Sequence, residues 1–404
     1  MSYGDIIGGI NEAAKLGSKF GTERARALLD ALGSPDKGLK IIHVAGTNGK
    51  GSCSAFISNA LKAAGKAVGT FTSPQVFSYE EQFCVNCVPL ERRVTEKYIS
   101  MASAAAEAME DKPSAFEIET AAALEAFRKE GCEYAVIECG LGGRDDATNA
   151  VANKVAAAIT SVSIEHTAEL GGTITEICSA KSGIIKDCPA VVSAMQTEEG
   201  KAFFKQLGAI FAGEGLEVIK SSAEGQTFKY KGETYSVKMY GSAQCFNAAV
   251  AIEVCRILGL SLEDIRRGIA QTAVDGRCQT VIKGGVTYIL DGAHNPAAFK
   301  PLTELLAFCP KPAALVFGCL SDKDVCGAAE ALAPHFRSAV LFSPKSYRAM
   351  ELERIYGAFK GKIEVITTAE TVEAALSKAA GKTVVVCGSF TALKEAREWI
   401  EKRQ

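Results

Sequence analysis

A short run of β-branched and aliphatic residues, a glycine-rich break and a helical pattern recur along this chain. "LKIIHVAG" leads into "SCSAFISNALKAAG", where Phe56, Ile57, Ala60, Leu61 and Ala64 fall on one helical face. "AVGTFTSP" is the next strand. "AFEIETAAALEAFRKEG" is a helix stopped at a glycine and followed by the buried strand "YAVIECG"; "KVAAAITSV" and "ITEICSAKSGIIK" add another strand and helix. Strands separated by helices do not pair as hairpins. They lie side by side in a parallel sheet whose two faces the helices cover.

The segment "GEGLEVIKSSAEGQTFKYKGETYSVKMYGS" breaks this pattern. It alternates with period two, and "YKGETY" reads as a hairpin turn, so a small antiparallel addition to the first domain is expected. After the helical stretch "AAVAIEVCRILGLSLEDIRRGIAQ" the strand–helix alternation restarts with "VTYILDGAHNP", "AALVFGCLSDKD", "SAVLFSP", "KIEVITT" and "TVVVCGSF". The expectation is an α/β protein in two parts: residues 1–282 form a P-loop-type, mostly parallel sheet domain, and residues 283–404 a smaller Rossmann-like α/β domain. The glycine-rich "VIKGGV" is the joint. A chain of 404 residues suits two or three domains.

A net charge of −2 gives no electrostatic reason to expect nucleic acid or an anionic membrane as partner. No apolar run approaches the length of a membrane span, and the opening "MSYGDIIGGINEAAKLGSKF" lacks a basic segment followed by an apolar block. A cytoplasmic location is therefore expected. The fourteen cysteines suit reduced core thiols; Cys84 and Cys87 form one C-x-x-C with no second ligand pair at zinc spacing.

Against this frame "IHVAGTNGKGS" stands out. A buried strand enters, glycines turn the chain, and a helix leaves, which gathers backbone N–H groups and a positive helix end at one point. The spelling is not Walker A: Gly51 separates Lys50 from Ser52, and Gly46 lies too close to Lys50 to be the first glycine. Gly46, Thr47, Asn48, Gly49, Lys50, Gly51 and Ser52 suit phosphate, with Lys50 on terminal oxygens and Ser52 on a magnesium ion. A plain glycine turn is the competing reading of the loop alone. Ser73 in "FTSPQV", Glu138 in "VIECGLGGRDDATN", and Glu165 and His166 in "ITSVSIEHT" all close strands. In an open parallel sheet, ligands bind outside the strands' carboxyl ends. His166 by itself reads more readily as a hydrogen-bonded loop histidine than as a metal ligand.

In this order "HVAGTNGKGS", "FTSP", "ECGLGGRDDATN", "AKSGIIK" and "DGAHNP" resemble the motif series of folylpolyglutamate synthases and dihydrofolate synthases, relatives of the Mur ligases. "GTERARALLDALGSP", "FGCLSDKD" and "CGSF" extend the resemblance from about residue 20 to residue 390. It implies a ligase that activates a folate or dihydropteroate carboxylate with ATP as an acyl phosphate and joins it to the amine of L-glutamate. It implies Mg²⁺ held by Ser52, Ser73, Glu138 and His166. It also implies that Lys181 matches a lysine often carbamylated in the superfamily as a further metal ligand; an ordinary helix lysine is the other reading. Lys50, Glu138, His166 and Lys181 would carry catalysis. Asn247, Arg277, Asp291 and His294 would join the loop in binding ATP, with the second domain closing on the nucleotide. Phe116, Glu117, Asp145, Asp146 and Ala147 would line the pteroate pocket, though Phe116 reads equally as core. A monomer is implied.

The chain departs from that pattern mainly on the substrate side: Gln75 for a histidine, Gln82 for an arginine, Ala180 for a glutamate, Ala243 for a histidine, Glu165 for an aspartate and Asp145 for an apolar residue. Two alternatives follow. One is a ligase of the same fold acting on another acid or amine. The other is a nucleotide-binding homologue that no longer ligates.

Overall fold

The computed structural model of the protein describes residues 20–346 and 348–403; the N-terminal stretch read above for a leader lies outside them except for Phe20. The chain divides into two compact units. The first runs up to Glu217 and takes in Phe228–Ser236 and Ala243–Thr272. The second takes in Val218–Thr227, Val237–Ser242 and everything from Ala273 on.

The first unit is built on an eight-stranded sheet: β1 (Lys40–Ala45), β2 (Val68–Phe71), β3 (Phe83–Val85), β4 (Val88–Pro89), β5 (Tyr134–Glu138), β6 (Lys154–Ile159), β7 (Ala190–Ser193) and β8 (Ile210–Ala212), in the order β4-β3-β2-β5-β1-β6-β7-β8. From β2 to β8 every pairing is parallel; β3 and β4 add an antiparallel edge. The parallel part follows from the helices between its strands. The edge follows from "QFCVNCVPL", where Asn86 and Cys87 take left-handed backbone and turn the chain back. Burial pushes the Cys84 and Cys87 thiols up to about 12 and about 11, as suits inert side chains.

Of the face expected for the helix Lys50–Ala63, Phe56, Ile57, Ala60 and Leu61 are buried. This helix lies against Leu262–Gln271 so closely that a Cβ on Gly268 would stand 2.3 Å from Ala60 Cα. On one sheet face Phe71, Phe83, Phe127, Ala135 and Ile137 form a core; on the other Ala45, Cys139, Ala157, Ile159, Val192 and Phe204 do.

The alternating segment forms a three-stranded sheet of β9 (Glu217–Ser222), β10 (Gly225–Tyr230) and β11 (Glu233–Val237). Lys231 and Gly232, both at positive φ, make the expected hairpin turn between β10 and β11. The division into units passes through this sheet.

The second unit carries β12 (Gln279–Lys283), β13 (Val286–Leu290), β14 (Ala313–Phe317), β15 (Ser338–Phe342), β16 (Val365–Ala369) and β17 (Thr383–Cys387), ordered β12-β13-β17-β14-β15-β16. Only β12 pairs antiparallel. The glycine-rich "VIKGGV", read as the domain joint, is the turn of the β12–β13 hairpin inside this unit. Both Gly284 and Gly285 have positive φ, as a tight two-residue turn requires. Among the described residues no helix is long and apolar enough to cross a membrane.

Candidate functional site

The register of the first sheet puts the motif residues in a row. Phe71 pairs with Ile137, Val44 with Glu138, and Ala45 with Ile159. Ser73, Glu138, the loop from Gly46 and the segment up to His166 therefore leave neighbouring strands at one carboxyl edge.

The loop is fastened to the end of β6. Gly46, at φ 142°, passes where a Cβ would strike the Thr160 hydroxyl at 1.9 Å, so only glycine fits. Thr47 N–H donates to Ser161 O (2.8 Å), and Thr47 Oγ1 accepts from Ser163 N–H (3.0 Å). Gly49, at φ 95°, opens the helix, and no side chain caps its first turn. A Cβ on Gly49 would meet Asn247 Oδ1 at 2.3 Å, so Asn247 is brought directly onto the loop. Lys50 Nζ donates to Thr47 O (3.3 Å) and lies 4.0 Å from Glu138 Oε1. At Gly51 a Cβ would sit 3.4 Å from Glu138 Oε2, an ordinary contact, so space alone does not demand that glycine.

Lys181, on the helix Ile174–Ser182, is 1% exposed and points its Nζ at Glu165 Oε1 (2.7 Å) and Gly46 O (2.9 Å). Burial pulls Lys181 below the usual lysine range, with Glu165 opposing. The Lys181 and Lys50 charges hold Glu165 below the usual carboxylate range against its own burial. Both Nζ partners accept hydrogen bonds. That suits an ammonium; carbamate oxygens would need Glu165 to turn away. His166 is exposed, has left-handed backbone (φ 46°) and begins the short helix Thr167–Leu170. Lys50, Glu165, His166 and Lys181 line one narrow cleft with Gly46 and Gly140–Gly142.

For a divalent metal the donor set is thin by itself. Among the described residues no three His, Cys, Asp or Glu side chains gather closely enough to hold an ion. Ser52 Oγ, buried at the first turn of its helix, has no hydrogen-bond partner among them. An orphaned hydroxyl beside a phosphate-type loop fits a magnesium ion whose remaining ligands are phosphate and water.

The residues read as a pteroate pocket are not alike. Glu117 is turned into its own helix end, accepting from Ser114 N–H (2.7 Å) and pairing with Arg24 (3.2 Å). Asp146 accepts from Leu141 N–H (2.7 Å), Thr148 N–H (3.0 Å) and the Thr148 hydroxyl, so it shapes the Gly140–Asp146 turn; burial nevertheless raises it. Ala147 is buried. Phe116 packs with its ring tilted 33° to that of Phe71, 5.7 Å between centroids, and covers Gly140, where a Cβ would approach its ring to 2.8 Å. Asp145 is exposed and lines a cavity of about 530 Å³ with Phe20, Leu141, Arg144, Leu170 and Phe203; Ala180 lines it too. The departure at Gln82 has a counterpart missed in the sequence. Buried Gln82 and the Tyr79 hydroxyl (2.8 Å) both bond Glu119, whose carboxyl burial pushes up to about 7. A glutamate at a buried helix position, three residues after Phe116, was the available signal.

In the second unit Asp291 follows β13 and accepts from Cys278 N–H (2.6 Å) and Ala293 N–H (2.6 Å); burial raises it while the Arg277 charge opposes. His294 Nδ1 bonds Gly292 O (2.8 Å), and burial lowers its pKa. Arg277 stands over the Phe390 ring, 4.8 Å from the centroid.

The Mur ligase middle domain family matches residues 44–255, and the Mur ligase glutamate ligase domain family matches residues 276–390. The dihydrofolate synthase/folylpolyglutamate synthase of Bacillus subtilis (strain 168) is 34% identical over 352 residues, 80% of each chain. Mycobacterium tuberculosis folylpolyglutamate synthase, solved with ADP and AMPPCP, superposes with a TM-score of 0.87 at 28% identity over 99% of both chains. A bifunctional folylpolyglutamate synthase/dihydrofolate synthase with Mn, AMPPNP and L-glutamate bound gives 0.84 at 27% identity over 98% of both.

Proposed function

We propose that this chain, which belongs to the folylpolyglutamate synthase/dihydrofolate synthase family of Mur ligases, joins L-glutamate to the carboxylate of a folate or dihydropteroate at the expense of ATP. It is an ATP-dependent, amide-forming ligase that works with a divalent metal. In the reaction a carboxylate oxygen bonds the γ-phosphorus and ADP leaves. The glutamate nitrogen then bonds the acyl carbon and phosphate leaves, so one amide, ADP and phosphate result.

The observation that carries this reading is the convergence of Lys50, Glu138, Glu165, His166 and Lys181 at one sheet edge. Two anions, a carboxylate and a triphosphate, must meet there, and fixed cations lower the cost of bringing them together. Lys50 and the uncapped N–H groups after Gly49 would receive phosphate oxygens. Ser52, Ser73, Glu138 and His166 would hold the metal, which supplies charge neutralisation when bound. Lys181, in its ammonium form, would pin Gly46 and Glu165. Asn247 would orient the loop, while Arg277, Asp291 and His294 would contact nucleotide. In this reading the first unit holds ATP and pteroate, and the second, with the boundary near Ala273 and not at residues 282/283, forms the glutamate ligase part. A reducing, cytoplasmic setting is supported by all fourteen cysteines being free thiols; we also propose a monomer.

A second reading, another acid in place of the folate, has one specific support: the departures Asp145 and Ala180 both line the 530 Å³ cavity. Mass spectrometry decides between them. With ATP, Mg²⁺ and glutamate, dihydropteroate or tetrahydrofolate should gain one glutamyl unit for each ADP formed. Turnover with only an unrelated acid would remove the folate assignment, and nucleotide binding without any amide would leave a non-catalytic homologue.

A further inference from the structure

Phe390 lies at the carboxyl edge of the second unit's sheet, just after β17, and nothing above gives it a role. Its surroundings are specific. The Arg277 guanidinium stands over its face at 4.8 Å, and the His294 ring meets it edge-on at 6.3 Å and 64°. Gly292, between Asp291 and Ala293, lies against the same ring: a Cβ there would come within 2.0 Å of it. Gly292 N–H donates to Gly276 O (2.8 Å), next to Arg277, and Gly388 N–H donates to Ala293 O (2.9 Å). Ser389 Oγ accepts from Thr391 N–H (3.3 Å) and bonds its hydroxyl (2.8 Å), which holds the one-turn helix carrying the ring. One aromatic side chain thus touches three neighbours from two separate segments, and it is only half buried.

An arginine on a flexible stem loses rotamer freedom when it binds an anion. Stacking its planar guanidinium on an aromatic face removes that freedom beforehand and leaves the N–H edges open. From this geometry we propose that Phe390 is a positioning residue for nucleotide binding, whose ring face sets the Arg277 guanidinium. It acts through Arg277 and touches no substrate. The proposal rests on the reading of Arg277 as a nucleotide contact.

A double-mutant cycle on the full-length protein tests it, with Mg-ATP affinity from calorimetry, KM for ATP, kcat and thermal melts. Phe390→Leu keeps an apolar side chain and removes the ring. It should weaken Mg-ATP roughly threefold to tenfold, mainly in KM. Phe390→Tyr should restore binding. Gly292→Ala, whose methyl displaces the ring, should reproduce the loss. In an Arg277→Ala background Phe390→Leu should have no further effect, which a purely structural role would not produce. Additive losses, or a Phe390→Leu protein that binds Mg-ATP as the parent does, would overturn the proposal. Unchanged binding in Arg277→Ala alone would instead withdraw the nucleotide reading of Arg277, and this inference with it.

Discussion

Two strand-to-helix loops share one sequence pattern and end differently. After β1 the chain turns at Gly46–Gly49 into the helix Lys50–Ala63; after β13 it turns at Asp291–Asn295 into the helix Pro296–Leu305. The first helix starts at a left-handed glycine with no side chain over its leading N–H groups. The second starts at Asn295, whose side-chain oxygen accepts from Ala298 N–H (3.0 Å), while Asp291 takes up two further N–H groups. One loop keeps backbone donors and a positive helix end for an anion. The other satisfies its own backbone and presents a side chain, His294, near Arg277 from a separate segment. A strand–turn–helix pattern marks a place on a sheet edge; the capping residue decides whether backbone or side chain meets the ligand there.

Breaking the first loop should have the largest consequence. Lys50→Ala is expected to lower kcat/KM for ATP by about a thousandfold. Its thermal midpoint should move less than that of Lys181→Ala, because Lys50 stands 4.0 Å from Glu138, at the limit of an ion pair. Initial rates and a melt together check this, and unaltered rates would take Lys50 out of the mechanism. Lys181→Ala should instead cost stability, about 3 kcal/mol in a urea titration, because Glu165 loses its cation beside Gly46. Lys181→Arg should keep more of it. Recovery of Lys181→Ala turnover by formate or acetate would favour the carbamate over the ammonium.

Acidity separates the regions further. The Glu119 carboxyl sits at about 7 against an ordinary 4.5, so the folded state binds its proton more tightly than the unfolded chain. Its stabilising contribution is complete below pH 4.5 and lost as pH rises through 7, a swing of about 3 kcal/mol at most. Glu119→Gln should flatten the slope of unfolding free energy between those values; an unchanged slope would assign it to other groups. The smallest effects contrast the two helix starts directly. Gly49→Ala, with φ 95° and a Cβ 2.3 Å from Asn247, should cost about 1–2 kcal/mol and weaken Mg-ATP. Asn295→Ala should cost about 1 kcal/mol through the lost cap and leave Mg-ATP affinity alone. Equal effects of the two on nucleotide would erase the distinction drawn between the loops.

Read alone, the chain already specified most of its strands, with β7, β8 and β12 unread, that most are parallel, and which loops emerge at the carboxyl edge. These depend on local signals: apolar runs of β-branched residues, helical periodicity, and glycines where the backbone must turn. Tertiary structure alone decided which side chains remain available. It brought Asn247 onto Gly49 and Glu165 onto Lys181, and set Arg277 on Phe390. Glycines and periodicity act on near neighbours, whereas a buried charge or an unmet N–H finds its partner across the packed interior. Several of those partners stand more than a hundred residues away along the chain, as Lys181 does from Gly46.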